Sequence, residues 1–171
     1  MYLPPLLRIL CKTALIFLFL PLPLFCPSGA GAAEDSKARN LQGISGFQLV
    51  VEKPTEDALQ AGVTEEAVKN QVGAIFKAYL PQVVLDAKEG PSLYVRVLLY
   101  KRKSDNLFYG MINVAVDRPV IVLSPPGDFP AFSQVWENSM VFSGGDPLLS
   151  TYGILSRLLN LLVEDFKKAN R

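Results

Sequence analysis

Histidine is absent from this 171-residue chain, and its two cysteines, Cys11 and Cys26, both lie near the start. Acidic residues are missing from residues 1–33, a stretch that holds the cations Arg8 and Lys12. Removal of residues 1–32 takes both cations away, leaving 15 basic against 16 acidic side chains, so that the net charge moves from +1 to −1. What remains has no imidazole base, thiolate nucleophile, Cys/His metal site or disulfide. Its slight excess of acid argues against a nucleic-acid binder, which normally carries an excess of Lys and Arg. Charged residues are scarce, at 19%, against 50% hydrophobic, a balance that suits one well-filled core in a chain of this length.

The apolar start reads as an export signal. Ala14–Phe25 (ALIFLFLPLPLF) is an apolar run of 12 residues, too short for a bilayer of ~30 Å and broken by Pro21 and Pro23. Ala30-Gly31-Ala32 supplies an A-x-A cleavage pattern, so residues 1–32 are expected to be a secretory signal peptide. Retention as an uncleaved anchor is the minor alternative. Lipid anchoring through Cys26 is disfavoured, because Pro23-Leu24-Phe25 stands where that signal requires small residues. An exported chain without disulfides or an N-x-S/T sequon fits the bacterial periplasm.

Residues 33–43 (AEDSKARNLQG) are polar and aperiodic, which predicts a flexible lead-in to a single domain over 44–171. Strict alternation predicts a strand over 46–53. Thr64 is placed to cap a helix whose stripe is Val68, Val72, Ile75, Phe76 and Tyr79 and which Pro81 stops. Residues 83–85 read as a brief extended piece. Strands follow over 92–102 and 107–117, with a further stretch over 119–123 after a bend. The proline-rich segment 124–130 (SPPGDFP) reads as a loop, and a fourth strand as 132–142. Asp146 and Pro147 open a helix that runs to about Ala169. Its stripe is Leu148, Tyr152, Leu155, Leu159, Leu162 and Phe166, widened by Leu149, Leu158 and Leu161.

The expected fold class is therefore α+β: a two-layer sandwich in the order β-α-β-β-β-α. Its sheet is four-stranded and mostly antiparallel, with two helices on one face. If Leu93, Val95, Val97 and Leu99 face the helices, then Tyr94, Arg96, Leu98, Tyr100 and Arg102 face outward. On the next strand Phe108, Ile112, Val114 and Val116 point inward, and Leu107, Tyr109, Met111 and Asn113 join the outer face. Tyrosine, arginine and methionine are enriched at protein interfaces, so Tyr94, Arg96, Tyr100, Tyr109 and Met111 are the candidate partner-binding residues. An ordinary solvated sheet face is the bland alternative. In the fourth strand either Val135/Val141 or Trp136/Met140 can be the inward pair.

Catalysis finds little support. Glu65/Glu66 and Glu164/Asp165 diverge by about 100° on their helices. Glu137 and Asp117 are the most site-like single acids, yet nothing pairs them across a cleft as a glycosidase needs. Ser133, Ser139, Ser143 and Ser150 lie in no G-x-S-x-G elbow, and no oxygen-ligand metal cluster stands out. Gly144-Gly145-Asp146 reads as a helix start rather than an anion site, since Pro147 removes a donor and Asp146 repels anions. Lys101-Arg102-Lys103 is a hairpin-tip cluster that either touches anionic headgroups or is simply a solvated turn. No enzyme, cofactor or metal is expected.

The segments LYVRVLLYK (93–101), YGMINVAVDRPV (109–120) and LLNLLVEDFKKAN (158–170) resemble a set of uncharacterised exported bacterial α+β proteins. In element order the chain also resembles the N-terminal domain of the Tol-Pal translocation protein and the auxiliary lipoproteins of lipopolysaccharide export and ABC transport. The exposed sheet face, or the free sheet edge, points to a non-catalytic periplasmic adaptor of the cell envelope that docks an envelope protein. The alternative is a small module for an apolar or lipid-like ligand, and a homo-oligomer is a further option.

Overall fold

A computed structural model describes residues 36–171. The signal-peptide expectation over 1–32 therefore lies outside the described residues. The elements are β1 (Gly46–Val51), α1 (Glu56–Gln60), α2 (Glu65–Tyr79), β2 (Val84–Leu85), β3 (Ser92–Lys101), β4 (Phe108–Val122), β5 (Phe129–Gly144) and α3 (Pro147–Ala169).

The fold is α+β, but the sheet differs from the expected one. It has five strands in the order β2-β1-β3-β4-β5, and it is mixed. β1 runs parallel to both β2 and β3, while β3-β4-β5 is an antiparallel meander. The chain between β1 and β3 carries two helices and the two-residue β2, long enough for the crossover that parallel neighbours require. A hairpin is thus needed only after β3. The short α1 was also not expected.

Helix boundaries follow their local signals. Thr64 Oγ1 accepts from the Ala67 N–H at 3.1 Å, and Asp146 Oδ1 accepts from the Leu149 N–H at 2.9 Å, each satisfying an otherwise orphaned donor. Val68, Val72, Ile75 and Phe76 of α2 are buried, as are Leu155, Leu158, Leu159, Leu162 and Phe166 of α3. Tyr79, Leu148 and Leu149, assigned to the same stripes, are exposed instead. Phe47 of β1 joins the layers: its ring meets Phe76 edge-on at 5.8 Å and Phe166 at 6.2 Å. Full burial of each such side chain contributes about 1.5–3 kcal/mol before the entropy of ordering is subtracted.

Three details shape the rest of the molecule. First, β5 carries a bulge: Val116 pairs with Trp136 but Asp117 with Gln134, which leaves Val135 extra. Side chains beyond the bulge therefore swap faces. Trp136 and Met140 point inward and Val141 outward, which decides between the two options for this strand. Secondly, β3 stops pairing at Ser92–Asp117, so residues 118–122 pair only with 129–133 as a free two-stranded arm. The segment 124–130, read as a loop, gives up its last two residues to this arm. Thirdly, the described part of the lead-in packs against the domain. It is helical over 36–39, it buries Ala38 and Leu41, and Asn170 Oδ1 accepts from the Gly43 N–H at 2.9 Å.

Candidate functional site

The uncovered face of the sheet is built by alternation on β3 and β4. Leu93, Val95, Val97 and Leu99 are buried toward the helices with Ile112, Val114 and Val116, so their neighbours in sequence must project the other way. The pairing places Tyr100 opposite Tyr109, Leu98 opposite Met111, Arg96 opposite Asn113 and Tyr94 opposite Ala115. All five candidate residues thus share one face.

They divide into two groups. Tyr100 and Tyr109 lie side by side with ring centroids 6.4 Å apart, both about half exposed. Met111 pairs onward with the exposed Val141 of β5, which makes this end of the face aromatic and apolar. Tyr94 and Arg96 belong to a polar band instead. Tyr94 Oη donates to Glu52 Oε2 at 2.7 Å, the Arg96 Nε–H donates to the same oxygen, and the Arg96 guanidinium lies 5.7 Å from the Tyr94 ring centre. The Tyr94 hydroxyl and then Arg96 hold the Glu52 carboxyl below its usual range, and Glu52 in turn raises Arg96. Beside them Asn113 Nδ2 donates to Glu137 Oε1 at 2.6 Å. The band lines a shallow depression of about 360 Å³ whose walls include Tyr94, Arg96, Met111, Asn113 and Glu137.

Glu52 was missed as a site residue. It continues the outer set Gln48, Val50, Glu52, but only the parallel pairing of β1 with β3 brings it to Arg96. Val141 was open until the bulge fixed its face. The basic cluster behaves as a turn: Arg102 Nε donates to Asp105 Oδ1 at 2.8 Å, and Lys101 Nζ lies 5.7 Å from the Phe108 ring. Nothing draws a catalytic pair together at Glu65/Glu66 or Glu164/Asp165. Asp165 instead accepts from the Trp136 indole. Among the described residues no three carboxylates converge on one point, and no helix is long and apolar enough to cross a membrane.

In comparisons with protein families, characterised proteins and solved structures, nothing matches this chain. Function therefore has to be argued from the face itself. A ring pair, a half-buried methionine beside an exposed valine and a charge-balanced polar band can bind a surface. They offer no nucleophile held by a base.

Proposed function

We propose that the chain is a non-catalytic adaptor of the bacterial cell envelope, exported to the periplasm, that docks a protein partner on its uncovered sheet face. One observation carries this reading: Tyr94, Arg96, Tyr100, Tyr109 and Met111 all lie on the side of the sheet that the helices leave open. Tyr100 and Tyr109 supply rigid amphipathic area at low entropic cost, and the Glu52–Arg96 pair supplies a polar rim. A small apolar ligand is the weaker reading, because Arg96, Asn113, Asp117, Gln134 and Glu137 make the depression polar.

In-cell crosslinking of the tagged chain, followed by capture, tests the proposal. A specific envelope protein should be recovered from wild type and lost with Tyr100→Asp, a change worth about 2 kcal/mol or more at the centre of an interface. Tyr100 is half exposed, so the variant should melt like wild type. Capture that survives the substitution would remove this face from consideration.

A further inference from the structure

The arm formed by residues 118–122 and 129–133 is a second feature, separate from the face above. It ends in a turn over 123–128 and presents Ile121, Leu123, Phe129 and Phe132 at 63%, 78%, 50% and 72% exposure. From Pro119 to Ser133 the only charged residue is Asp128. Such a concentration of bulky apolar side chains on a protruding element marks a contact site. Pro119 lies opposite Phe132 and Pro130 opposite Ile121. Proline cannot donate into a ladder, so both occupy positions where the N–H would point away from the partner strand. Each free edge of the arm thereby loses a donor, which discourages addition of another strand. Contact must come through the apolar side chains, and these lie on both faces. Pro119, Ile121, Pro130 and Phe132 share one face, while Val122 and Phe129 pair on the other. A flat protein surface covers one face of a ribbon; a lipid headgroup layer covers both.

Charge favours lipid. At the arm's root Arg118 Nη1 donates to the carbonyls of Asn40 and Gln42 at 3.1 and 3.3 Å. Arg39 is exposed on the same stretch. Arg118, with Arg39 next to its acceptor Asn40, sits about five residues from the turn, roughly 17 Å along a strand, a depth that suits phosphate groups. Asp117 and Glu137 lie further in, with Glu137 held by Asn113.

We propose that residues 118–133 form a membrane-contacting arm that lies in the headgroup layer of a phospholipid bilayer. Ile121, Leu123, Phe129 and Phe132 reach the acyl boundary, and Arg39 and Arg118 face anionic phosphates. Asp128 and the open edge carbonyls keep the arm at the interface rather than in the hydrocarbon.

The test uses the chain from Ala33 onward, because the buried core is built from residues between Leu41 and Phe166. Co-sedimentation with vesicles of phosphatidylethanolamine and phosphatidylglycerol measures partitioning, and sedimentation equilibrium measures self-association. Wild type should bind the vesicles, and Ile121→Asp/Phe132→Asp should bind about tenfold more weakly or worse. Leu123→Ser, outside the ladder, should weaken binding with an unchanged melting curve. The proposal is overturned if wild type stays in solution or if the Ile121/Phe132 and Leu123 variants partition like wild type. A wild-type dimer that the substitutions dissociate, without vesicle binding, would assign the arm to a second copy.

Discussion

The indole Nε1–H of Trp136 donates to Asp165 Oδ2 at 3.0 Å, tying the bulged edge strand to the last turns of α3. Trp136 is buried, so its N–H has no water to turn to if the carboxylate is lost. Lys168 also reaches Asp165, at 3.3 Å, but that exposed pair contributes little. Asp165→Ala should cost about 1–3 kcal/mol in urea unfolding. Asp165→Asn, which keeps an acceptor, should cost less than about 1 kcal/mol. Equal losses would show that the bond is not the source.

Gly110 and Gly153 should respond in opposite directions to alanine. A Cβ on Gly110 would stand 2.3 Å from the Leu98 carbonyl and 3.1 Å from the Phe142 ring, so the β3–β4 pairing must part to admit it. Gly110→Ala should destabilise by about 2–3 kcal/mol. Gly153 lies inside α3 with open space around it, and Gly153→Ala should stabilise by about 0.5–1 kcal/mol. Thermal unfolding of the two variants reads both signs.

Glu52 makes stability depend on acid. Its folded-state pKa lies below the ordinary 4.5, chiefly through Tyr94 and then Arg96, so its contribution is complete above that value. It is lost as pH falls through the lowered value. The pair is partly exposed, which limits the contribution to less than about 1 kcal/mol. Wild type should lose that difference over Glu52→Gln on acidification below pH 4.5, while the two should keep a constant offset between pH 6 and pH 8. A difference that persists unchanged into strong acid would exclude the ion pair as its cause.

Much of the outer face was legible because alternation on one strand needs no knowledge of its partners. Leu93 to Leu99 fixed which way Tyr94, Arg96 and Tyr100 point, and the turn at 102–107 carried the same parity to Tyr109 and Met111. Glu52 was not legible as a member, since its role depends on β1 lying parallel beside β3. Val141 was ambiguous because the bulge at Val135 slips the two-residue period by one step. The arm was hidden for a related reason. Its sequence is apolar on both faces and rich in proline, a pattern that a loop or a buried strand would share.

By itself the sequence determined the chemistry this chain lacks, the two long helices with their caps, and the inward faces of β3 and β4. Caps, helical stripes and alternation act within a few residues, so they survive without a partner being known. Only the tertiary structure decided the β2-β1-β3 arrangement, the bulge, the reach of the arm beyond β3 and the packing of residues 36–43. Each of these depends on which distant segments pair, and backbone pairing is nearly blind to side-chain identity.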